Sequence, residues 1–404
     1  MTSTDLSPPA PTLRGRAPHL VTLVAVTAVP TLATTMFVPS MTSIADDLRA
    51  SYAAVQLGLS VFLLVTAFVQ LLCGPLSDIY GRRPVLVWTM AIYLAGTAMC
   101  IGAPTVEWFL AGRVLQGASA AGLVLGRTVL RDIYERDRAA SMIGYTIMAM
   151  AVGPMVGPWI GGMIDEAVGW RGTFWLLGAI GLATWLAVLG DLPETNRTLG
   201  RPLAAQRAAY RDLLGRRDFW TFAATGSLSA AIYFGFLGGA AQIADRLLGM
   251  TPAQYGAWFA FCAGGYMLGN FLSGRFAERV GLGRMILLGA GVSVLGPLAT
   301  LLSFALGWLH PFALFGWVAL VGVGNGMVLP SNVAAGVSVR PDAAGAASGL
   351  LGTLQTLSGA AASVVAALVV GDGLRAVPFA LTLLLFAVLA LASATLAARA
   401  IARV

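Results

Sequence analysis

Gly74-Pro75-Leu76-Ser77-Asp78-Ile79-Tyr80-Gly81-Arg82-Arg83-Pro84 is a polar island between two apolar runs. It returns 200 residues later as Gly274-Arg275-Phe276-Ala277-Glu278-Arg279-Val280-Gly281, with both glycines and the acid at the same spacing. Gly81 permits the tight turn that two antiparallel helices need. Asp78 is placed to accept hydrogen bonds from the neighbouring arginines, or to sit at a helix N-terminus where the macrodipole favours an anion. The plain alternative is a solvated turn. The runs on either side, 53–75 and 84–103, and their counterparts 253–274 and 284–306, are each about as long as a membrane-crossing helix. The same turn at the same place in two successive sets of runs points to a duplicated membrane bundle with a site between its halves.

The rest of the chain agrees. Its 404 residues are 58% hydrophobic and 11% charged, with a mean hydropathy of +0.81, against roughly 25% charged in soluble domains. A window of about 19 residues finds twelve apolar runs: 19–41, 53–75, 84–103, 107–128, 141–164, 171–190, 219–242, 253–274, 284–306, 310–336, 346–370 and 375–398. The expected fold class is an all-α membrane protein with twelve transmembrane helices in two six-helix halves. Residues 1–18 are expected as a cytoplasmic N-tail, 19–190 as the N-terminal half, 191–218 as a cytoplasmic central loop, 219–398 as the C-terminal half and 399–404 as a cytoplasmic C-tail. The first run is longer than the apolar core of a signal peptide and passes through Pro39 into Asp46 and Asp47, which favours an uncleaved helix.

All 25 basic residues are arginines. They are scattered between apolar runs rather than gathered on one domain, so the pI near 9.8 does not indicate nucleic-acid binding. With a cytoplasmic N-terminus, 20 of them fall on the cytoplasmic side, Arg49, Arg171, Arg246 and Arg375 fall outside, and Arg113 lies within a run. That bias orients the chain with both termini in the cytoplasm. Cys73, Cys100 and Cys262 lie in apolar runs, and His19 and His310 at run ends, so neither a disulfide framework nor a metal site is indicated. No catalytic set is visible. The expectation is a multi-pass membrane protein that is not an enzyme, needs no cofactor, and has a small molecule and the lipid bilayer as its partners.

The turn at 74–84 resembles the signature loop of the major facilitator superfamily, and 274–284 is similar to its degenerate second copy. Arg113-Val-Leu-Gln116-Gly117 in the fourth run resembles the Arg-x-x-Gln-Gly motif of proton-coupled members. Gly153-Pro154-Met-Val-Gly157-Pro158-Trp-Ile-Gly161-Gly162 in the fifth is similar to an antiporter signature. Leu192-Pro193-Glu194-Thr195 and Gly349 to Gln355 resemble the Bcr/CflA drug-efflux branch. The resemblance implies export of drug-like molecules by alternating access, with the proton gradient as energy source. It implies a latch at Gly74, Asp78, Gly81, Arg82, Arg83 and Glu278, and a gate helix carrying Gly153, Pro154, Gly157, Pro158, Gly161 and Gly162. Glycines every four residues also give a smooth helix face for close approach, and the prolines promote bending.

Arg113, Gln116, Gly117 and Ala120 share a helix face. An arginine within a span normally faces a partner or a wet cavity. Arg113 lies about 9 Å from the start of its run, so snorkelling, a tie to backbone carbonyls of the first helix, and a role in binding or coupling are all open. By the superfamily plan Thr35, Phe37, Arg113, Gln116, Tyr233, Phe236, Asn325 and Gln355 are the candidate contacts for substrate or coupling. The family's coupling aspartate in the first helix is here Thr35, which cannot titrate near neutrality. Three readings follow: a membrane-edge acid such as Asp46, Asp47 or Asp245 carries the proton, the cargo is an anion paired with Arg113, or transport is uncoupled.

Overall fold

Gly81 closes one helix and opens the next with φ +99°, and Gly281 does the same with φ +88°. Each accepts a left-handed conformation that only glycine adopts without strain, and each amide caps the preceding helix by bonding Ser77 O or Ala277 O. The computed structural model describes residues 18–134, 136–196, 203–340, 344–371 and 373–402. The expected N-tail, apart from Pro18, lies outside the described residues, as do Arg197 and Arg201 of the central segment.

The helices run α1 (Leu20–Asp47), α2 (Tyr52–Tyr80), α3 (Arg82–Ile101), α4 (Val106–Ile133), α5 (Arg136–Val168) and α6 (Trp170–Asp191). After a short connecting helix (Leu203–Gly215) come α7 (Arg217–Leu247), α8 (Pro252–Val280), α9 (Leu282–Ala305), α10 (Phe312–Ser338), α11 (Ala344–Val370) and α12 (Ala376–Ile401). Ten of the described helices are long and apolar enough to cross a membrane. Among the described residues there are only helices, turns and coil. The segment expected as a long loop, 191–218, thus contains a helix, because Leu203–Gly215 brings Leu213 into a buried cluster with Phe219 and Leu351.

α1 is not continuous. It stops as an α-helix at Thr35 and turns through a 3₁₀ stretch, Val38–Ser40, before resuming. Pro39 cannot donate the bond that would continue the helix. α4 is tightened in the same way over Gly117–Ala120.

Helices α1–α6 pack mainly on one another, as do α7–α12, and two helix pairs join the groups: α2 with α11, and α5 with α8. Advancing α2 and α11 by six places around the bundle gives α8 and α5, so the pairs are related by the repeat already visible in the turns. One end of the bundle carries Gly81, Gly281 and Asp191; it is called the turn end. At the opposite, far end the groups are bonded to each other. Arg246 grips Asp46 at 2.6 Å, the Tyr52 hydroxyl donates to Gly238 O at 3.1 Å, and Ala253 N donates to Glu166 at 2.9 Å.

Candidate functional site

The turn at Gly81 is more elaborate than its sequence suggests. Arg82 pairs with Asp78 at 2.7 Å and with Asp132 of α4 at 3.3 Å, and it donates to Ser77. Glu194 accepts the amides of Arg82 and Arg83 at 2.9 and 3.1 Å, capping α3 where the macrodipole favours an anion. Thr195 donates to Asp132 at 3.2 Å, and the Asn196 side chain donates to Ser77 O and Asp78 O. A Cβ on Gly81 would run into the Glu194 carboxylate, so this glycine is required by its φ and by its neighbour. Arg83 reaches back to Leu189 O at 2.7 Å, and Gly74 O accepts from Ser77. Asp132, Glu194 and Thr195 were absent from the expected latch. Glu278, which was included, is exposed, and none of the described ion pairs contains it.

Arg113 is fully buried. Its Nε donates to Gly58 O of α2 at 3.1 Å, and Nη1 donates to Ala33 O of α1 at 3.0 Å and to Gln116 at 2.6 Å. Gln116 passes the chain on to Thr97 at 2.8 Å. The guanidinium lies between the rings of Phe37 and Phe62, 4.1 and 4.5 Å from their centroids. Nη2 is buried and has no hydrogen-bond partner. Side chains from α1, α2 and α4 thus meet on one cation, next to the break in α1, and α3 joins through Gln116. Phe37 extends the cluster to Phe109 and Phe174. Of the expected contacts the structure brings together Phe37, Arg113 and Gln116.

Thr35 is placed elsewhere. Its hydroxyl donates to Thr31 O at 3.1 Å, and a Cβ on Gly157 would lie 3.3 Å from that oxygen. Gly153 and Gly161 approach Thr31 and Met36 in the same way. The glycine face of α5 therefore packs on α1, within its own group of helices, and not across to the other group as the gate reading expects. The crossing contact comes from Gly162, against Pro252 O, and from Pro158 O, against Gly256. Pro154 and Pro158 both lie inside α5.

On the other group, Phe236 stacks on Phe259 and meets Phe315 edge-on, whereas Tyr233 is half-buried beside Phe234 and Phe259. Asn325 donates to Ser229 O at 3.1 Å. Gln355 belongs to a separate cluster: its Nε2 and the Nδ2 of Asn332 converge on Gly226, where a Cβ would meet the two at 2.5 and 2.8 Å. The three acids suggested as proton carriers are all bonded to arginine, Asp46 and Asp245 to Arg246, and Asp47 to Arg171. Among the described residues no group of His, Cys, Asp and Glu is arranged to hold a metal.

Sequence reading placed one arginine within the spans. Arg127, allocated to the cytoplasmic side although it falls in the run 107–128, lies well inside α4, which continues to Ile133. Only the mixed sequence Gly126-Arg127-Thr128 marked that position, and proximity to the loop end of the run hid it.

Comparison with known proteins adds four findings. The Major Facilitator Superfamily is matched over residues 23–363. The chain is 28% identical over 356 residues to Multidrug resistance protein D of Escherichia coli, covering 86% of this chain and 88% of that one. It is 27% identical over 350 residues to the Bicyclomycin resistance protein homolog of Haemophilus influenzae, covering 84% and 86%. Among solved structures, a bacterial homologue of the human lysosomal transporter Spinster, inward-facing and unoccupied, superposes with a TM-score of 0.74 at 18% identity, covering 95% of this chain and 97% of that one.

Proposed function

The chain belongs to the Major Facilitator Superfamily, and we propose that it exports small amphipathic, drug-like molecules across the bacterial inner membrane by alternating access, driven by proton antiport. In this reading twelve helices form two halves, 19–190 and 219–398, the turn end faces the cytoplasm with both termini, and the chain works as a monomer. It performs no covalent chemistry.

The observation that carries the reading is the uneven join between the helix groups. At the far end they are bonded through Asp46–Arg246, Tyr52–Gly238 and Glu166–Ala253. Among the described residues, the ion pairs at the turn end, Arg82–Asp78 and Arg82–Asp132, close within one group. A bundle clasped at one end, with helices α2, α5, α8 and α11 as contact faces, suits halves that rock about the middle. Arg113 then acts as a strut, holding the broken α1 to α2 and α4 so that the half moves as a body. The relatives named for multidrug and bicyclomycin resistance support drug-like cargo.

Two features favour a second reading, a dedicated metabolite or organic-anion exporter that runs without proton exchange. Thr35 stands where the family's proton carrier is expected, and the acids suggested in its stead are held by arginines. The deciding experiment is transport by purified chain in proteoliposomes, with and without an imposed pH gradient, on cationic, neutral and anionic amphipaths. Gradient-dependent movement of the neutral compounds is expected. Movement indifferent to the gradient removes the antiport assignment, and no movement of any class removes the exporter.

A further inference from the structure

Among the described residues Asp165, near the far end of α5, is the only acid that is buried, at 8% exposure. None of the described ion pairs contains it. The Ser43 hydroxyl donates to its Oδ2 at 2.8 Å, from the short helical stretch that follows the break in α1. The charged groups around it at this end are already taken. On α1, Asp46 and Asp47 are bound to Arg246 and Arg171. On α6, Arg171 is bound to Asp47 and to the carbonyls of Ile101 and Ala103. The start of α8 offers the Tyr255 phenol and no charge, and Glu166, next along α5, is exposed and of the same sign as Asp165. The other charged residues of α4, α5, α6 and α8 that face this packing, such as Arg131, Asp191 and Arg275, belong to the turn end.

Both elements that meet at this carboxylate grip the other helix group within about one turn of it. On α5, Gly162 presses on Pro252 O, and Glu166 accepts from Ala253 N at 2.9 Å. On α1, Thr42 lines a recess with Pro252 and Tyr255, and Asp46 holds Arg246. A carboxylate loses far more hydration on burial than the neutral acid does. The serine replaces one hydrogen bond of that shell, and this bond survives protonation, because the carbonyl oxygen of the acid still accepts. A state that buries Asp165 therefore binds a proton more tightly than a state that wets it, and by linkage the proton favours burial. The clasped far end gains as pH falls and is lost as pH rises.

We propose that Asp165 is the proton-uptake residue of the transport cycle, and that its protonation closes the far end. With the groups parted, its carboxylate takes a proton from a hydronium ion of the external water, which leaves as water. The neutral acid then lets α5 and the α1 segment close on the start of α8 and the end of α7. This rests on the antiport reading and gives it an acid where Thr35 supplies none. Unlike Asp46, Asp47 and Asp245, Asp165 has no arginine to hold it ionised.

The test reads far-end opening as the distance between spin labels at Glu107→Cys, in the first turn of α4, and Leu306→Cys, just past α9. Both are exposed far-end positions on opposite groups, and the native cysteines are buried. In the purified full chain the ratio of clasped to open populations should fall about tenfold or more between about pH 5 and about pH 8. Asp165→Asn keeps an acceptor for Ser43 and cannot ionise, so it should stay clasped throughout. Ser43→Ala keeps the acid but removes the donor that steadies its ionised form, so the response should persist with its midpoint moved to higher pH. Asp46→Asn should leave the response in place. A native chain indifferent to pH overturns the proposal, as does a response that survives Asp165→Asn or a midpoint unmoved in Ser43→Ala. Gradient-driven transport undiminished in Asp165→Asn proteoliposomes overturns it as well. Because the distances are measured without transport, a pH response lost with Asp165, together with native transport indifferent to the gradient, rejects antiport and keeps the proton site.

Discussion

Gly162 is the tightest crossing point between the helix groups, and adding one methyl group there should open the far end. A Cβ at this position would lie 2.7 Å from Ala253 N and closer still to the Pro252 carbonyl. Ordinary contact needs about 3.5–4.0 Å, so α5 and the start of α8 must part by about 1 Å. The obstacle is backbone and cannot rotate away. Overpacking of this kind costs about 1–3 kcal/mol, which is about 5- to 150-fold against the clasped state. The assay is maleimide labelling of Thr42→Cys. Thr42 is 5% exposed and lines a small far-end recess with Asp245, Pro252 and Tyr255. The native cysteines Cys73, Cys100 and Cys262 are buried and give a quiet background. Gly162→Ala should raise the labelling rate by about the same factor. Gly256→Ala, whose methyl would meet Pro158 O and Trp159 Cα, should do likewise, and Gly264→Ala, which faces open space, should not. If both clashing variants remain folded and label at the native rate, the far-end contact is not what holds the halves together.

Other substitutions separate the remaining roles. Arg113→Ala should abolish efflux while membrane expression persists, and the purified protein should unfold at lower temperature, because Ala33 O, Gly58 O and Gln116 lose a buried donor worth about 1–3 kcal/mol each; unchanged transport refutes the strut. Asp78→Asn should lower the turnover number more than it weakens substrate binding, and Asp132→Asn should reproduce it, since both acids hold Arg82; turnover at the native rate counts against a latch. Glu194→Gln should cost about 0.5–2 kcal/mol through the lost α3 cap, seen as a lowered unfolding temperature. Asp46→Asn should change stability by less than about 1 kcal/mol, because both partners of the Asp46–Arg246 pair are exposed and screened; a large effect would mean that this pair, and not the glycine contacts, is the clasp.

Much of the fold was legible because membrane helices declare themselves locally. Apolar length located the runs, and Gly81 and Gly281 announced turns that the structure confirms with positive φ. The turn's partners were not legible. Glu194 and Asp132 lie far along the chain from Arg82, and only folding shows that they share its hydrogen bonds. The glycine spacing of α5 predicted close approach correctly but not its partner, since a smooth face says nothing of which helix will lie on it. Arg113 was recognised as unusual from burial cost alone, whereas its tie to Ala33 O depends on the break in α1. Arg127 was missed because a few residues' uncertainty at a span's end is enough to move a charge from membrane to loop.

The duplicated turns have diverged in their surroundings. Gly81 is enclosed by Glu194, Arg82 and Asp132, whereas a side chain built on Gly281 would meet nothing within 4 Å. The chain carries two copies of one joint, and only one is bolted. The free copy is where the chain should accept an inserted epitope or fluorescent reporter without loss of assembly. The same insertion after Gly81 should be rejected.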